Sequence, residues 1–571
     1  MPARRPRSRH AGPDCAARLL GAGLLLGALA LPRAASAYTP GQTNGAGGTG
    51  GFANPFPDAA TAPAGAPQPG TLPPPDYRYQ GTLPLVVGGL PTPGFTILPQ
   101  LSLQEEFTDN VLQTETNRRW DLISLLTPSL TIGANTPRLN LSLQYAPTLE
   151  YYARTTSENT IAQQLLGVGS LVLVPDTLFV NARAYATMAP TNGGYLGAGY
   201  GAATPAAAFA GAAGTGAAGT GPLTGRQGTT QIFGLSVSPY LVHRFNTFGT
   251  GSLGATFSRT SASNSLGGGA QEETTEQVSG QFQTGSYFGR VQDTAAANAS
   301  RTQGSGFLNA SRQETITDQL GYALTRQLQV FGVLGYEDIS YGNAGVPPIR
   351  DAIWRFGGTF TPTPSSSFTL SYGHSQGATD FEAAANYALS PRTFFTASYS
   401  DVVTTYLQQV AAGLAGAAVN QNGVPVGPDG QPLVLVNGAL AVQDTVYRDR
   451  TLALGLTALR DRDTYSLSIT RTEDTPLSAG GFAQRALTAT ASWTHALSEL
   501  ANASTYVSYG DINTGGATGD SKLFSFSALF TYQLSNTVST SASYLFFRRN
   551  STAPGFSMYE NILVVGISKR F

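Results

Sequence analysis

The 571-residue sequence predicts an all-β fold, a transmembrane antiparallel up-and-down β-barrel of the outer-membrane type. Three observations lead to this prediction. The chain starts with a pattern typical of secretory export, most of its length alternates apolar with uncharged polar residues, and it ends on an amphipathic strand with an aromatic last residue, Phe571. Charged residues make up only 12% of the chain, about half the share usual in soluble domains.

The N-terminus carries the features of a secretory signal peptide. Arginines precede an apolar run from Leu19 to Leu31, and Ala35, Ser36 and Ala37 supply a small-residue cleavage site. The run is too short to be a stable membrane-spanning helix. We therefore predict a signal peptide over residues 1–37 and export of the rest of the chain.

Residues 38–94 are rich in Gly, Pro, Ala and Thr and cannot bury enough apolar surface to fold alone. They are predicted to form a disordered periplasmic segment, the alternative being a segment that enters the mouth of the barrel. The single cysteine, Cys15, lies within the predicted signal peptide. The mature chain would then contain no disulfide and no cysteine metal site.

From residue 95 to residue 571 the pattern is that of barrel strands. Leu139, Leu141 and Leu143 share one face with Tyr145, while the residues between them are Asn, Ser and Gln. A soluble sandwich would place many Lys and Glu on its outer face, whereas uncharged polar residues suit a water-filled barrel interior. Segments of this kind number about 22, within a range of about 18 to 24.

The connections predict the orientation of the barrel. Short turns, which should face the periplasm, are predicted at 174–177, 244–247, 389–392, 459–463 and 534–537. The two longest loops, about Ala189 to Thr229 and about Gln408 to Val442, fall on the opposite, extracellular side. Strand pairing is not clear from the sequence near Gly285 to Arg290.

The last strand predicts recognition by the barrel-assembly machinery. Its apolar face consists of Leu563, Val565, Ile567 and Phe571 at a period of two residues. Lys569 departs from the pattern, because end strands of such barrels often carry an aromatic residue there.

Residues 105–184 carry a resemblance to a known family. The matching segments are Glu106 to Asn110, Asp121 to Ile123, Thr127-Pro128, Arg138-Leu139, Tyr145 to Pro147, Tyr151-Tyr152 and Asp176 to Ala182. This stretch resembles the beta-barrel porin 2 group, especially members associated with exopolysaccharide and exosortase (PEP-CTERM) sorting systems. The resemblance implies an outer-membrane barrel connected with surface polysaccharide.

The sequence predicts no enzyme, no cofactor and no metal site. The four histidines are scattered, and none has a second His or a carboxylate at ligand spacing on one strand face. Residues 214–219 match a nucleotide-binding glycine pattern literally, but no strand precedes them and no helix signal follows. The net charge of −1 gives no basic surface for nucleic acid.

Charged residues on strands are the candidate functional residues. Glu150, Arg183, Arg355 and Asp449 are predicted to face the barrel interior, where they could set solute selectivity. The alternative is that they pair with one another and brace the wall. Nothing in the sequence separates these two roles.

Arg448 and Arg450 fall on the opposite, outward face, near the extracellular end of their strand. They are candidates for contact with lipopolysaccharide phosphates, because the guanidinium fork binds phosphate well. The alternative is that they only extend their charged ends to the membrane surface.

The predicted function is a porin-like channel, connected with exopolysaccharide export or surface anchoring. An alternative is a structural or adhesive protein whose long loops plug the pore, and an outer-membrane hydrolase is the weakest option. The expected partners are outer-membrane lipid, lipopolysaccharide, the assembly machinery, and polysaccharide or small solutes.

Overall fold

The computed structural model describes residues 94–190, 229–263, 269–305, 310–342, 345–415, 418–419, 425–426, 439–478, 481–515 and 519–571. The predicted signal peptide, almost all of the predicted periplasmic segment and most of the first long loop lie outside these residues. Nearly all of the described chain is β-strand. No described helix is both long and apolar enough to cross a membrane.

The strands in chain order are β1 (Gly94–Thr108), β2 (Asp121–Asn135), β3 (Leu139–Tyr145), β4 (Thr148–Tyr152), β5 (Thr160–Ala162), β6 (Leu165–Val174), β7 (Leu178–Pro190), β8 (Thr229–Arg244), β9 (Gly249–Ala262), β10 (Gln271–Thr284), β11 (Val291–Gly304), β12 (Ser311–Ala323), β13 (Leu328–Ser340), β14 (Ile349–Thr363), β15 (Ser366–Ser375), β16 (Ala378–Ser390), β17 (Thr393–Thr404), β18 (Ala418–Val419), β19 (Pro425–Val426), β20 (Tyr447–Arg460), β21 (Asp463–Pro476), β22 (Gln484–Ala496), β23 (Ala501–Asn513), β24 (Asp520–Ser535), β25 (Val538–Ser551) and β26 (Met558–Arg570). One α-helix, α1 (Tyr406–Ala415), and two 3-10 turns, Thr156–Glu158 and Ser286–Phe288, complete the described elements.

The sheet closes on itself as a barrel of 22 antiparallel strands, which confirms the predicted fold class. Each strand pairs with its neighbours in the chain, and β1 also pairs with β26. The sheet contains 24 strand segments, but β3 with β4 and β5 with β6 are each one interrupted strand. The strands β18 and β19 form a separate small hairpin.

One interruption has a clear chemical cause. The sequence pattern predicts a continuous strand from Leu139 to Tyr151, but the strand breaks at Ala146 and Pro147. Proline has no backbone N–H to donate to the neighbouring strand. The break opposite it, at Gln163, is closed by the side-chain amide of Gln231, which accepts from the Gln163 N–H at 2.9 Å and donates to its carbonyl at 3.0 Å.

The two faces of the wall differ as the alternation predicts. Large apolar side chains cover the outer face, and Leu334 (63%), Leu563 (50%) and Phe571 (65%) are exposed there. The inner face carries small polar residues such as Ser102, Gln104 and Thr275. An apolar exterior around a polar interior suits a barrel in a membrane, because every backbone group inside the hydrocarbon is paired between strands.

The predicted short turns are all present, at one end of the barrel. Asp176, Asn246 and Asp461 adopt positive φ angles in them, of 60°, 53° and 35°. Asn and Asp tolerate this conformation better than most residues, which explains why these sequences turn. The unresolved stretch, Gly285 to Arg290, forms a further connection at the same end, built on the 3-10 turn Ser286–Phe288.

The barrel closes through a polar seam at the end that bears the long loops. Where β1 meets β26, the Thr108 hydroxyl donates to Glu560 at 2.6 Å, and the side-chain amide of Asn110 donates to the Tyr559 carbonyl at 3.0 Å. The Asp109 carboxylate accepts from the backbone and side-chain amides of Asn561 at 2.9 and 2.7 Å. Residues 108–110, which belong to the family-like segment, thus join the first strand to the last.

Asp109 is held in its charged form. Partial burial would raise the pKa of the Asp109 carboxyl, but the two hydrogen bonds from Asn561 and the neighbouring Arg118 outweigh burial and lower that pKa below its ordinary value. The stabilisation from the carboxylate is therefore full above the pKa of the unfolded state, about 3.9. It is lost as the pH falls through the lower pKa of the folded state.

The first prediction concerns the membrane-facing surface. Leu334→Arg places a charge near the middle of the outer face and should cost about 2 to 4 kcal/mol of unfolding free energy, whereas Leu241→Arg, near the short-turn end, should cost about 0 to 1 kcal/mol. The measurement is urea unfolding in lipid vesicles, with the folded fraction read from heat-modifiable migration on gels. Equal costs for the two variants would contradict the assignment of the outer band.

The second prediction concerns the seam. Asp109→Asn should lower the unfolding free energy by about 1 to 3 kcal/mol at neutral pH, because it removes a charged acceptor of several hydrogen bonds. The difference from wild type should vanish in strong acid, where the wild-type carboxyl is protonated as well. Asp461→Asn, in an exposed turn, is the control and should have little effect at either pH. A pH-independent loss in Asp109→Asn would contradict the role of the charge.

Candidate functional site

The four predicted lumen residues lie on four separate strands. Glu150 is on β4, Arg183 on β7, Arg355 on β14 and Asp449 on β20. Each shares a face with the buried polar residues of its strand rather than with the exposed apolar ones. The structure does not bring them together into one cluster.

Arg355 has the contacts of a wall brace. Its Nη2 lies 3.0 Å from Asp380 Oδ1 and 3.2 Å from Glu382 Oε1, two strands away on β16. The side chain crosses β15 at Gly373, where a Cβ atom would lie 2.6 Å from the Arg355 Cα. The glycine gives the arginine room to reach both carboxylates.

Asp449 faces another carboxyl group that the sequence pattern did not single out. Its register partner across β20 and β21 is Asp474, and both residues are 5% exposed. The Thr451 hydroxyl donates to Asp449 Oδ1 at 3.1 Å. The signal in the sequence was the position of Asp474, which falls on the lumen face of β21 by its period of two.

Arg448 and Arg450 both bind the carboxylate of Asp401 on β17, each at 2.9 Å. Arg448 also donates to the Gln376 carbonyl at 2.6 Å, and its side chain is only 12% exposed. Arg450 is 46% exposed. Of the two predicted lipopolysaccharide contacts, Arg450 is therefore the more accessible to an external phosphate.

The segment between β17 and β20, residues 405–446, does not simply extend outward, and we call it the crossing loop. Its helix α1 contacts β7, β8 and β9. β8 is the sixth of the 22 barrel strands and β17 is the fifteenth, so the helix reaches nearly the opposite wall. The crossing loop was predicted to be extracellular, but its described residues pack against lumen-facing side chains.

An apolar cluster holds α1 against the far wall. Tyr406, Leu407 and Val410 are buried there against lumen-facing side chains that include Tyr185 and Ile232. The Thr405 hydroxyl accepts a hydrogen bond from the Gln408 backbone N–H at 3.2 Å and so caps the start of the helix. This threonine, before a run of good helix formers, was the available signal for α1 in the sequence.

The returning part of the crossing loop packs on a different part of the wall. Ala439 and Leu440 join a buried cluster with lumen-facing residues of β22 to β26, among them Ile512 and Phe547. The side-chain amide of Gln484 accepts from the Ala441 backbone N–H at 2.8 Å and donates to its carbonyl at 3.1 Å. The crossing loop thus has anchors on widely separated arcs of the barrel.

The described residues contain no group of three or more His, Cys, Asp or Glu side chains arranged to hold a metal ion. A pocket of about 380 Å³ lies outside the lumen, beside the seam, and is lined by Phe107, Asp109, Arg118 and Trp120. Within the described chain, the lumen and its crossing loop are therefore the best candidate for the functional site.

Comparisons with known proteins agree with the barrel architecture only. No family model matches the sequence, and no curated protein matches it. The resemblance to the beta-barrel porin 2 group therefore stays a prediction.

Solved structures that match include three outer-membrane proteins. The ferric-catecholate import receptor Fiu from E. coli K12 has a TM-score of 0.46 and 10% identity, covering 84% of this chain and 82% of its own. The FrpB iron transporter from Neisseria meningitidis has a TM-score of 0.45 and 9% identity, covering 83% and 82%. The siderophore receptor PirA from Acinetobacter baumannii has a TM-score of 0.43 and 9% identity, covering 84% and 81%. Likenesses this distant transfer no substrate, and the chain is described by its own architecture, a 22-strand outer-membrane β-barrel.

The third prediction concerns the anchor of α1. Leu407→Ala should destabilise the docked helix by about 2 to 5 kcal/mol, because it removes a fully buried side chain from the cluster. Amide hydrogen exchange in residues 406–415 should accelerate while exchange in the strands stays unchanged. Leu389→Ala, at an exposed outer-face position, is the control. Unchanged exchange in α1 would contradict the anchoring role of the cluster.

Proposed function

We propose that the protein is a passive channel of the bacterial outer membrane and that the crossing loop narrows its lumen. A barrel of this strand number is too wide for its own side chains to fill. Its interior must therefore hold water or another part of the chain. The single observation that carries the proposal is the contact of α1 with β7 to β9, nearly opposite the strands from which it departs.

The location of the crossing loop supports a constriction. α1 starts two residues after the end of β17, at the end of the barrel that bears the long loops. A solute entering from that side would meet the loop before it reached the polar wall below. Selection by size would therefore take place near the entrance.

A second candidate function is a structural or adhesive protein with a plugged pore. The observation that favours it is the apolar packing of the crossing loop on two separate arcs of the wall. Packing of this kind suits a permanent plug as well as a constriction. The two candidates differ in whether the native protein conducts ions.

Other parts of the proposal rest on weaker support. The connection with exopolysaccharide comes only from the family resemblance. Contact of Arg450 with lipopolysaccharide phosphate is favoured by its exposure, and recognition of the last strand by the assembly machinery by the exposed apolar side chains of Leu563, Val565, Ile567 and Phe571. A hydrolase role has no support from any arrangement of side chains described above.

The fourth prediction tests the constriction. Thr404 and Tyr447 are register partners on adjacent strands, so a short Asn-Gly turn can replace residues 405–446. We expect the native protein to conduct ions in planar bilayers and the shortened variant to have a larger unit conductance, because the lumen is no longer crossed. Heat-modifiable migration serves as the control for folding.

The possible results separate the candidates. A silent native protein with a conducting shortened variant would favour the plugged protein. Silence of both folded proteins would overturn the channel. Equal conductance of both would show that the crossing loop does not limit the passage.

A further inference from the structure

The entrance of the barrel has an unusual charge distribution on its inner face. Six buried carboxyl groups, each two or three residues from the long-loop end of its strand, occupy lumen-facing positions. They are Glu273, Glu337, Asp380, Asp449, Asp474 and Glu560. Their outward-facing neighbours, such as Tyr336, Phe381 and Tyr559, are about half exposed, which fixes the direction of each strand's two faces.

Most of these carboxyl groups have no basic partner. Asp380 is paired with Arg355. Glu273, Glu337, Asp449 and Asp474 form no ion pair with any residue that the structure describes. Among the described residues, the only buried basic side chains are Arg355 and Arg549. The inner face at this end therefore has an excess of acidic groups.

Two of the acidic groups also lack hydrogen-bond partners on one oxygen. Glu273 is 2% exposed, and although Thr275 donates to its Oε1 at 3.0 Å, its Oε2 has no partner in the described part of the chain. Asp474 is 5% exposed, and the same holds for its Oδ1. A buried carboxylate without a partner is costly, and a nearby cation reduces that cost.

The crossing loop brings a permeating ion close to these groups. It leaves the wall between β17 and β20 at the same end, and Tyr447, next to Asp449 in sequence, donates to Gln409 of α1 at 3.1 Å. Rings of acidic side chains select cations in narrow pores, and low-dielectric walls strengthen the field of each charge. Acidic groups and the constriction thus lie at one level.

We propose that the entrance of the channel selects cations over anions, and that Glu273 and Asp474 are selectivity-determining residues. The solutes favoured are small inorganic cations and compact cationic organic molecules. This inference rests on the proposed channel function. It goes beyond that function because it assigns the sign of charge that passes and the residues that decide it.

The fifth prediction uses potassium chloride as the probe. With a concentration gradient of this salt across a planar bilayer, the native protein should give a reversal potential with the sign of potassium preference, by several-fold over chloride. The double variant Glu273→Gln, Asp474→Asn keeps the shape of both side chains. Its reversal potential should move toward zero.

Two matched controls accompany the double variant. Asp461→Asn removes an acidic group in a turn at the opposite end, and Glu314→Gln removes one on the outward face of β12, and neither should change the reversal potential. Single variants at Glu273 and Asp474 replace the double variant if it does not show heat-modifiable migration. Each should give part of the shift.

The outcomes distinguish this inference from the proposed function. Conductance without potassium preference, or an unchanged reversal potential in the folded variants, would overturn the inference and leave the channel intact. Absence of conductance from both the native protein and the shortened-loop variant would overturn the channel itself, and the inference with it.

Discussion

Closure of the sheet between β1 and β26 is the interaction on which the rest of the structure depends. A membrane interior offers no water to unpaired backbone groups, so an open sheet edge would be costly there. Paired residues from Gln100–Arg570 to Thr108–Ile562 remove that edge. Side chains of Thr108, Asp109 and Asn110 continue the pairing beyond β1, onto residues 559 to 561. The two ends of a barrel chain are thus joined by both backbone and side-chain hydrogen bonds.

Closure with this many strands creates the second constraint, a lumen that the wall cannot fill. The crossing loop answers that constraint with an apolar helix on one arc and a hydrogen-bonded return segment on another. A loop packed in this way is part of the lumen rather than an external appendage. The same anchors suit either a constricted channel or a plugged barrel, and conduction is the property that separates the two.

The distribution of charge follows the membrane. On the outer face, arginines near the long-loop end are neutralised by neighbouring acids, as Arg448 and Arg450 are by Asp401. On the inner face, Arg355 is similarly engaged by Asp380 and Glu382, whereas Glu273 and Asp474 have no basic partner among the described residues. Bracing and selectivity are therefore divided between different residues, and the four strand charges singled out in the sequence do not have one common role.

Much of the architecture follows from the sequence alone, because alternation and turn chemistry are local. The period of two along Leu563, Val565 and Ile567 sets which face meets lipid, and Asp176, Asn246 and Asp461 mark turns because they tolerate positive φ. The tertiary structure alone decided the position of α1, the pairing of Asp449 with Asp474 and the partners of Arg448. These depend on which distant segments meet, and strand register and the curvature of the closed sheet settle that only when the whole barrel is assembled.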